Sequence, residues 1–199
     1  MKILLVSDIV VPELSGRFDP HPFDGVDLVV GCGDLPPEYL SSIRQRLNVP
    51  LFYVCGNHDI RYHTAPPMGC MNIHQRRVTF EGLRIIGFEG SRWYNGGPLQ
   101  YRERQMRWMI RRMMPGLWMK GGVDMVITHA PPRHVNDAED RCHRGFTSYL
   151  KLIRRFRPRY FIHGHIHAVF SDPAERVTHL GQTRVINAFG SYLLEFDRE

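Results

Sequence analysis

Apolar residues along the chain gather in short runs closed by polar or glycine-rich residues: Lys2 to Val6, Asp27 to Cys32, Leu51 to Cys55, Leu83 to Phe88, Val123 to Thr128 and Tyr160 to His163. Runs of this length bounded by turn formers predict buried strands. Between them, Glu38 to Leu47, Gln100 to Met114 and Phe146 to Phe156 carry apolar residues at helical spacing, so the first half alternates strand and helix. The end of the chain changes character. Ala168 to Phe170, Arg176 to Leu180, Thr183 to Ala188 and Ser191 to Phe196 are short strand candidates split by Asp-Pro, Gly-Gln and Gly turns, which predicts antiparallel pairing there. No internal repeat, low-complexity tract or long linker interrupts the 199 residues, so one domain over 1–199 is expected.

Composition narrows the class. With 43% hydrophobic and 23% charged residues the chain can bury a core, which argues against disorder. The apolar run Ile3 to Val6 is cut by Ser7 and Asp8, whereas a secretory segment needs about 7 to 15 apolar residues and a membrane span about 20. A soluble, cytoplasmic protein without a membrane partner is expected. Four cysteines (Cys32, Cys55, Cys70, Cys142) lack paired spacing, so neither disulfides nor a thiolate metal site is expected. The net charge of +6 favours anionic ligands mildly, since all but Lys2, Lys120 and Lys151 of the 26 cations are arginine, whose fork matches phosphate. A biased genome would enrich arginine equally well. Eleven histidines are the anomaly.

Where the polar residues fall is more telling. Asp8 follows the first run, Asp34 the second, Asn57, His58 and Asp59 the third, His129 the fifth, and His165 with His167 the sixth. Ligands of open α/β sheets bind outside the carboxyl ends of strands, so these segments would deliver carboxylate, amide and imidazole donors to one place. A lone Asp there is usually a turn former and a lone His an ordinary surface residue. Five such blocks together suggest metal. The donor set suits manganese, iron or zinc.

Through Ser7-Asp8, Gly33-Asp34, Gly56-Asn57-His58-Asp59, Thr128-His129 and Gly164-His165-Ile166-His167, the chain resembles the calcineurin-like metallophosphoesterases in order and spacing. The resemblance implies a four-layer α/β/β/α sandwich with two mixed sheets and a two-metal site at the strand ends. It implies that Asp34 bridges both ions, that Asp8 and His167 hold the first, and that Asn57, His129 and His165 hold the second. Manganese or iron is the first expectation, with zinc an alternative. It further implies that hydroxide activated by the two metals attacks phosphorus in line with the leaving group. His58, off the metals, would contact phosphate and protonate the leaving oxygen, and Asp59 would orient its imidazole; an ordinary helix N-cap is the plainer reading of Asp59.

One departure matters. Members usually carry a His two residues after the first Asp, and here that position is Val10, which cannot ligate. Unless Glu13, Asp19 or His21 folds back, the first site would be weakly held.

Substrate contacts are expected from two loops. Arg92 or Asn95 on the glycine-rich stretch Gly90 to Pro98 could hold a phosphate oxygen, and His143 is the better choice on the stretch Ala130 to Gly145. His163 is expected to support the sheet end. Arg104, Arg107 and Arg111 form a stripe on the long helix, read as a solvated face with nucleic-acid contact as the sharper alternative. The function expected is therefore metal-dependent hydrolysis of a phosphodiester or phosphomonoester, a small molecule or nucleotide. The alternatives are a weakly active protein-binding scaffold, favoured by Val10, and a nuclease.

Overall fold

In β1 (Lys2–Ser7), Ile3 and Leu5 enter one core cluster while Leu4 and Val6 enter another, and all four are fully buried. A strand apolar on both faces has to be covered on both, and the architecture follows from that requirement. The computed structural model describes residues 1–16 and 21–196.

The chain continues through β2 (Val26–Gly31), α1 (Pro37–Leu47), β3 (Leu51–Tyr53), β4 (Met71–Asn72), β5 (Arg77–Phe80), β6 (Leu83–Phe88), β7 (Ser91–Arg92) and β8 (Gln100–Tyr101). It then forms α2 (Glu103–Met119), β9 (Met125–Thr128), α3 (Thr147–Phe156), β10 (Tyr160–His163), β11 (Val177–Leu180), β12 (Thr183–Asn187) and β13 (Gly190–Glu195). One sheet has the order β13-β1-β2-β3-β4, parallel except for β13, which runs antiparallel to β1. The other has the order β11-β12-β10-β9-β6-β5, with parallel centre strands and antiparallel β11 and β5 at its edges.

Three apolar layers bind these parts. Ile3, Leu5, Leu28 and Val30 of the first sheet meet Ile85, Met125, Ile127 and Ile162 of the second. Val29, Tyr53, Leu40 and Ile43 seal α1 against the first sheet's outer face. Val126, Phe161, Met106, Ile110 and Leu152 seal α2 and α3 against the second sheet's outer face. The result is the expected α/β/β/α sandwich with two mixed sheets.

Several details differ from the sequence reading. Ala168 to Phe170 is not a strand: Val169 faces solvent and Phe170 instead covers the Arg176 guanidinium at 4.4 Å. β5 escaped notice because, as an edge strand, it packs only Val78 and Phe80 inward and keeps Arg77 and Thr79 between them. At the chain's end β11 and β12 do pair antiparallel, but β13 crosses to the other sheet and closes on β1, with Lys2 opposite Glu195. Helix α2 also begins later than expected and runs past Pro115, held by Leu117 in the core. Among the described residues no helix is long and apolar enough to cross a membrane.

Candidate metal centre

The parallel strands of both sheets end on one side, and the polar residues singled out by sequence lie there. Asp8, Asp34 and His165 take φ of 68°, 56° and 67°, left-handed values uncommon for residues with a Cβ. Such conformations persist where surrounding bonds enforce them. Both oxygens of Asp8 accept the His165 backbone N–H, at 3.1 and 3.0 Å, and Asp34 Oδ1 accepts the His58 backbone N–H at 2.8 Å.

His129 is fully buried at the centre. Its Nδ1 donates to the Cys32 carbonyl at 2.8 Å, which leaves Nε2 facing Asp34 Oδ2 at 3.3 Å and Asn57 Oδ1 at 3.2 Å. The His165 ring lies 4.7 Å from that of His129, and its Nε2 donates to the Cys142 carbonyl at 2.9 Å, so Nδ1 carries the lone pair. One ligand atom each from Asp34, His129 and His165 falls within 4.8 Å of the others. His167, mostly exposed, reaches Asp8 Oδ1 at 3.5 Å and rests on Phe189.

Electrostatics fit a cation. Burial pushes the Asp8 carboxyl above its usual range, against the pull of His129. Burial also raises Asp34, but the His129 charge and hydrogen bond, with the His58 N–H, outweigh it and hold Asp34 at about 2. For His129 burial lowers the pKa, yet Asp34 and Asp8 carry it to about 9, while burial and the neighbouring His129 charge drop His165 to about 3. Two buried carboxylates converging on a few ångströms call for positive charge between them. Oxygen and imidazole donors without thiolate fit manganese, iron or zinc, whose binding would displace the His129 proton.

Glycines make this convergence possible. A Cβ on Gly56 would overlap Asp34 Oδ1, and one on Gly164 would overlap Ser7 Oγ and crowd Asp8 Oδ2 at 2.8 Å. Both belong to the motifs, and their role is close approach.

The flanking residues correct several expectations. Asp59 does not orient an imidazole: its Oδ2 accepts the Asp34 and Gly56 N–H groups at 2.8 and 2.7 Å and its Oδ1 accepts that of Leu35 at 3.1 Å. Nor does its side chain cap the 3₁₀ turn that follows it. Burial, with the nearby Asp34 charge, raises it to about 6. It staples the Asp34 and Asn57 loops together. His58 is exposed, next in sequence to Asn57. Asn95 Oδ1 turns back on its own loop, accepting from Gly97 N–H and Gln100 Nε2 at 3.1 and 2.7 Å. Arg92 donates to the Gly145 carbonyl at 3.4 Å, bridging the loop after β6 and the loop before α3. His143 does enter the cluster, 5.1 Å from the His165 ring and 6.5 Å from that of His167, with its Nδ1 held by Asp140 at 3.0 Å.

Tyr94, a neighbour of Asn95 with no role assigned from sequence, is the loop residue that reaches the centre, its hydroxyl 3.4 Å from Asn57 Nδ2. His163 is buried against Asn136 and is held by burial to about 4. Val10 is exposed and offers no ligand atom. Of the three substitutes considered, His21 pairs with Asp24 at 3.5 Å, Glu13 lies exposed in a 3₁₀ turn, and Asp19 falls outside the described residues.

The profile of the calcineurin-like phosphoesterases matches residues 1–169. The chain is 30% identical over 220 aligned positions to metallophosphoesterase domain-containing protein 1 of Homo sapiens and of Mus musculus, covering 90% of this chain. It spans 64% of the length of those relatives. Among solved structures, TT1561 of Thermus thermophilus superposes with a TM-score of 0.64 at 16% identity, over 95% of this chain and 89% of that one. GAP50, the anchor in the inner membrane complex of Plasmodium, gives 0.52 at 12% identity over 95% and 71%. At such identities the likeness speaks for the fold.

Proposed function

The chain belongs to the calcineurin-like phosphoesterase family, and from that premise we propose that it is a metal-dependent phosphohydrolase acting on a phosphodiester or phosphomonoester, small molecule or nucleotide. The observation that carries the reading is the convergence of Asp34, His129 and His165 within 4.8 Å, with Asp8 and Asn57 on either side.

In this reading Asp34 is shared between two positions, with Asp8 and His167 completing one and Asn57, His129 and His165 the other. Divalent ions there, manganese or iron before zinc, would lower the pKa of water and neutralise charge on the phosphoryl oxygens. His58 has its backbone fixed on Asp34 and its side chain at the open mouth, where it gives a proton to the leaving oxygen. Asp59 holds the loops that set this geometry. His143, steadied by Asp140, and Arg92 face the substrate side.

The test is hydrolysis of p-nitrophenyl phosphate and bis-p-nitrophenyl phosphate with manganese, zinc or chelator, with Asn57→Ala and His129→Ala as controls. Metal-dependent turnover lost in both variants is expected. A fold kept for protein binding is the second reading, favoured by Val10, and absence of turnover with every metal would select it.

A further inference from the structure

Helices α2 and α3 lie side by side in the same direction. Glu103 at the start of α2 accepts the Thr147 and Ser148 N–H groups of α3 at 3.1 and 2.7 Å, and Trp118 near its end meets Phe156 at 6.5 Å. Between them opens a cavity of about 160 Å³, lined by apolar Ile110, Leu152 and Phe156 and by the cations Arg107, Arg111, Lys151 and Arg155. Ser148 also lines it, 2% exposed, with its hydroxyl unpartnered among the described residues.

The charge of this layer is unusual. Arg104, Arg107, Arg111, Arg112, Lys151, Arg154 and Arg155 face a single acid, Glu103, which α3 already engages. Seven cations and one acid equal the +6 of the whole chain, so the rest is neutral and the excess is local rather than a uniform enrichment. None of the four rim cations has an acidic partner among the described residues. Trp108 and Trp118 stand more than half exposed beside them.

Size decides the class of ligand. Small-molecule sites usually enclose about 300 to 1,000 Å³, so this cavity takes one large side chain rather than a cofactor. Arg107, Ile110, Arg111 and Met114 are spaced i, i+3, i+4, i+7 and so line the cavity from one face of α2. We propose that the α2–α3 groove docks an acidic protein segment, which plants one aromatic or leucine side chain in the cavity while its carboxylates pair with Arg107, Arg111, Lys151 and Arg155. A nucleic acid or an anionic membrane would meet the same cations, but neither calls for an apolar socket between them.

Fluorescence polarisation of labelled EDEFEDE, EDEAEDE and KRKFKRK peptides on the full chain tests this. EDEFEDE is expected to bind about tenfold or more tighter than EDEAEDE, because the anchor side chain dominates such contacts, and KRKFKRK is expected not to bind. Met114→Trp, which fills the cavity, and the exposed double change Arg111→Glu with Lys151→Glu should each weaken EDEFEDE by about tenfold while phosphoester hydrolysis is unchanged. The proposal is overturned if EDEFEDE does not bind or binds no better than EDEAEDE. It is equally overturned if the rim change has no effect, or if a single-stranded oligonucleotide or phosphatidylserine vesicles displace the peptide and bind through the same cations more tightly.

Discussion

The Tyr94 hydroxyl stands 3.4 Å from the Asn57 amide nitrogen, while the amide oxygen of the same side chain faces His129 Nε2 at 3.2 Å. An amide can flip, and the phenol oxygen accepting from nitrogen selects the orientation that presents oxygen to the metal centre. Tyr94→Phe is therefore expected to weaken manganese binding by about tenfold, the lower end of what outer partners of a metal ligand cost. Titration calorimetry reads this directly, and an unchanged affinity would remove Tyr94 from the site's support.

Val10 lies two residues beyond Asp8, is exposed, and has no described neighbour that takes over as ligand. Val10→His should supply an imidazole there and tighten the weaker of two manganese binding events by about tenfold or more. Equal affinity in both proteins would mean that the position does not face the ion.

Gly56 admits the Asp34 carboxylate where a Cβ would overlap it. Gly56→Ala should cost about 1 to 3 kcal/mol of unfolding free energy by overpacking and abolish metal binding as Asp34 is displaced. Urea unfolding and metal analysis of the purified variant check the two effects; full metal content would show that the carboxylate has room to move.

His58 is exposed, and it is its backbone N–H rather than its imidazole that meets Asp34. His58→Ala should lower turnover by about 10² to 10⁴, the usual contribution of a positioned general acid, with metal content unchanged. Loss of metal along with activity would assign it to the ligands instead.

His74 is half-buried beside Glu89 and Tyr101, with its Nδ1 accepting the Glu89 N–H at 3.0 Å and its ring stacked on Tyr101. Burial holds its pKa below the ordinary value, and the Glu89 charge only partly opposes this. The unfolded chain protonates this residue near about pH 6.5 and the folded one only at lower pH, so stability from His74 is present above that value and is lost as pH falls below it. His74→Gln should show a smaller loss of stability between about pH 8 and about pH 5 than the parent. Urea titrations at the two pH values decide, and parallel losses would exclude His74 as a source.

Runs such as Ile3 to Val6 were legible because a strand covered on both faces is apolar throughout, and the ligand residues were legible because each follows such a run. β5 was not, since an edge strand with one wet face has too little apolar signal over four residues. Asp59 was misassigned because adjacency to His58 suggested a shared task, whereas neighbours in a turn point apart and its carboxylate meets backbone N–H groups from Asp34, Leu35 and Gly56. The Asn95 side-chain carbonyl was equally out of reach of local reading, since it closes its own loop on Gly97 and Gln100. The partners that fix the imidazoles, the carbonyls of Cys32 and Cys142, lie 97 and 23 residues away in sequence and leave no local trace.

The Glu103 carboxylate joins the first turns of two helices, and the segments leading into those turns carry Tyr94 on one side and His143 on the other. Both lips of the crevice thus hang from this peg, and Arg92 ties them a second time at the Gly145 carbonyl. Sliding one helix against its neighbour would carry with it the Cys142 carbonyl that holds His165 and the Tyr94 phenol that meets Asn57, so the aperture and the floor of this site are coupled mechanical parts.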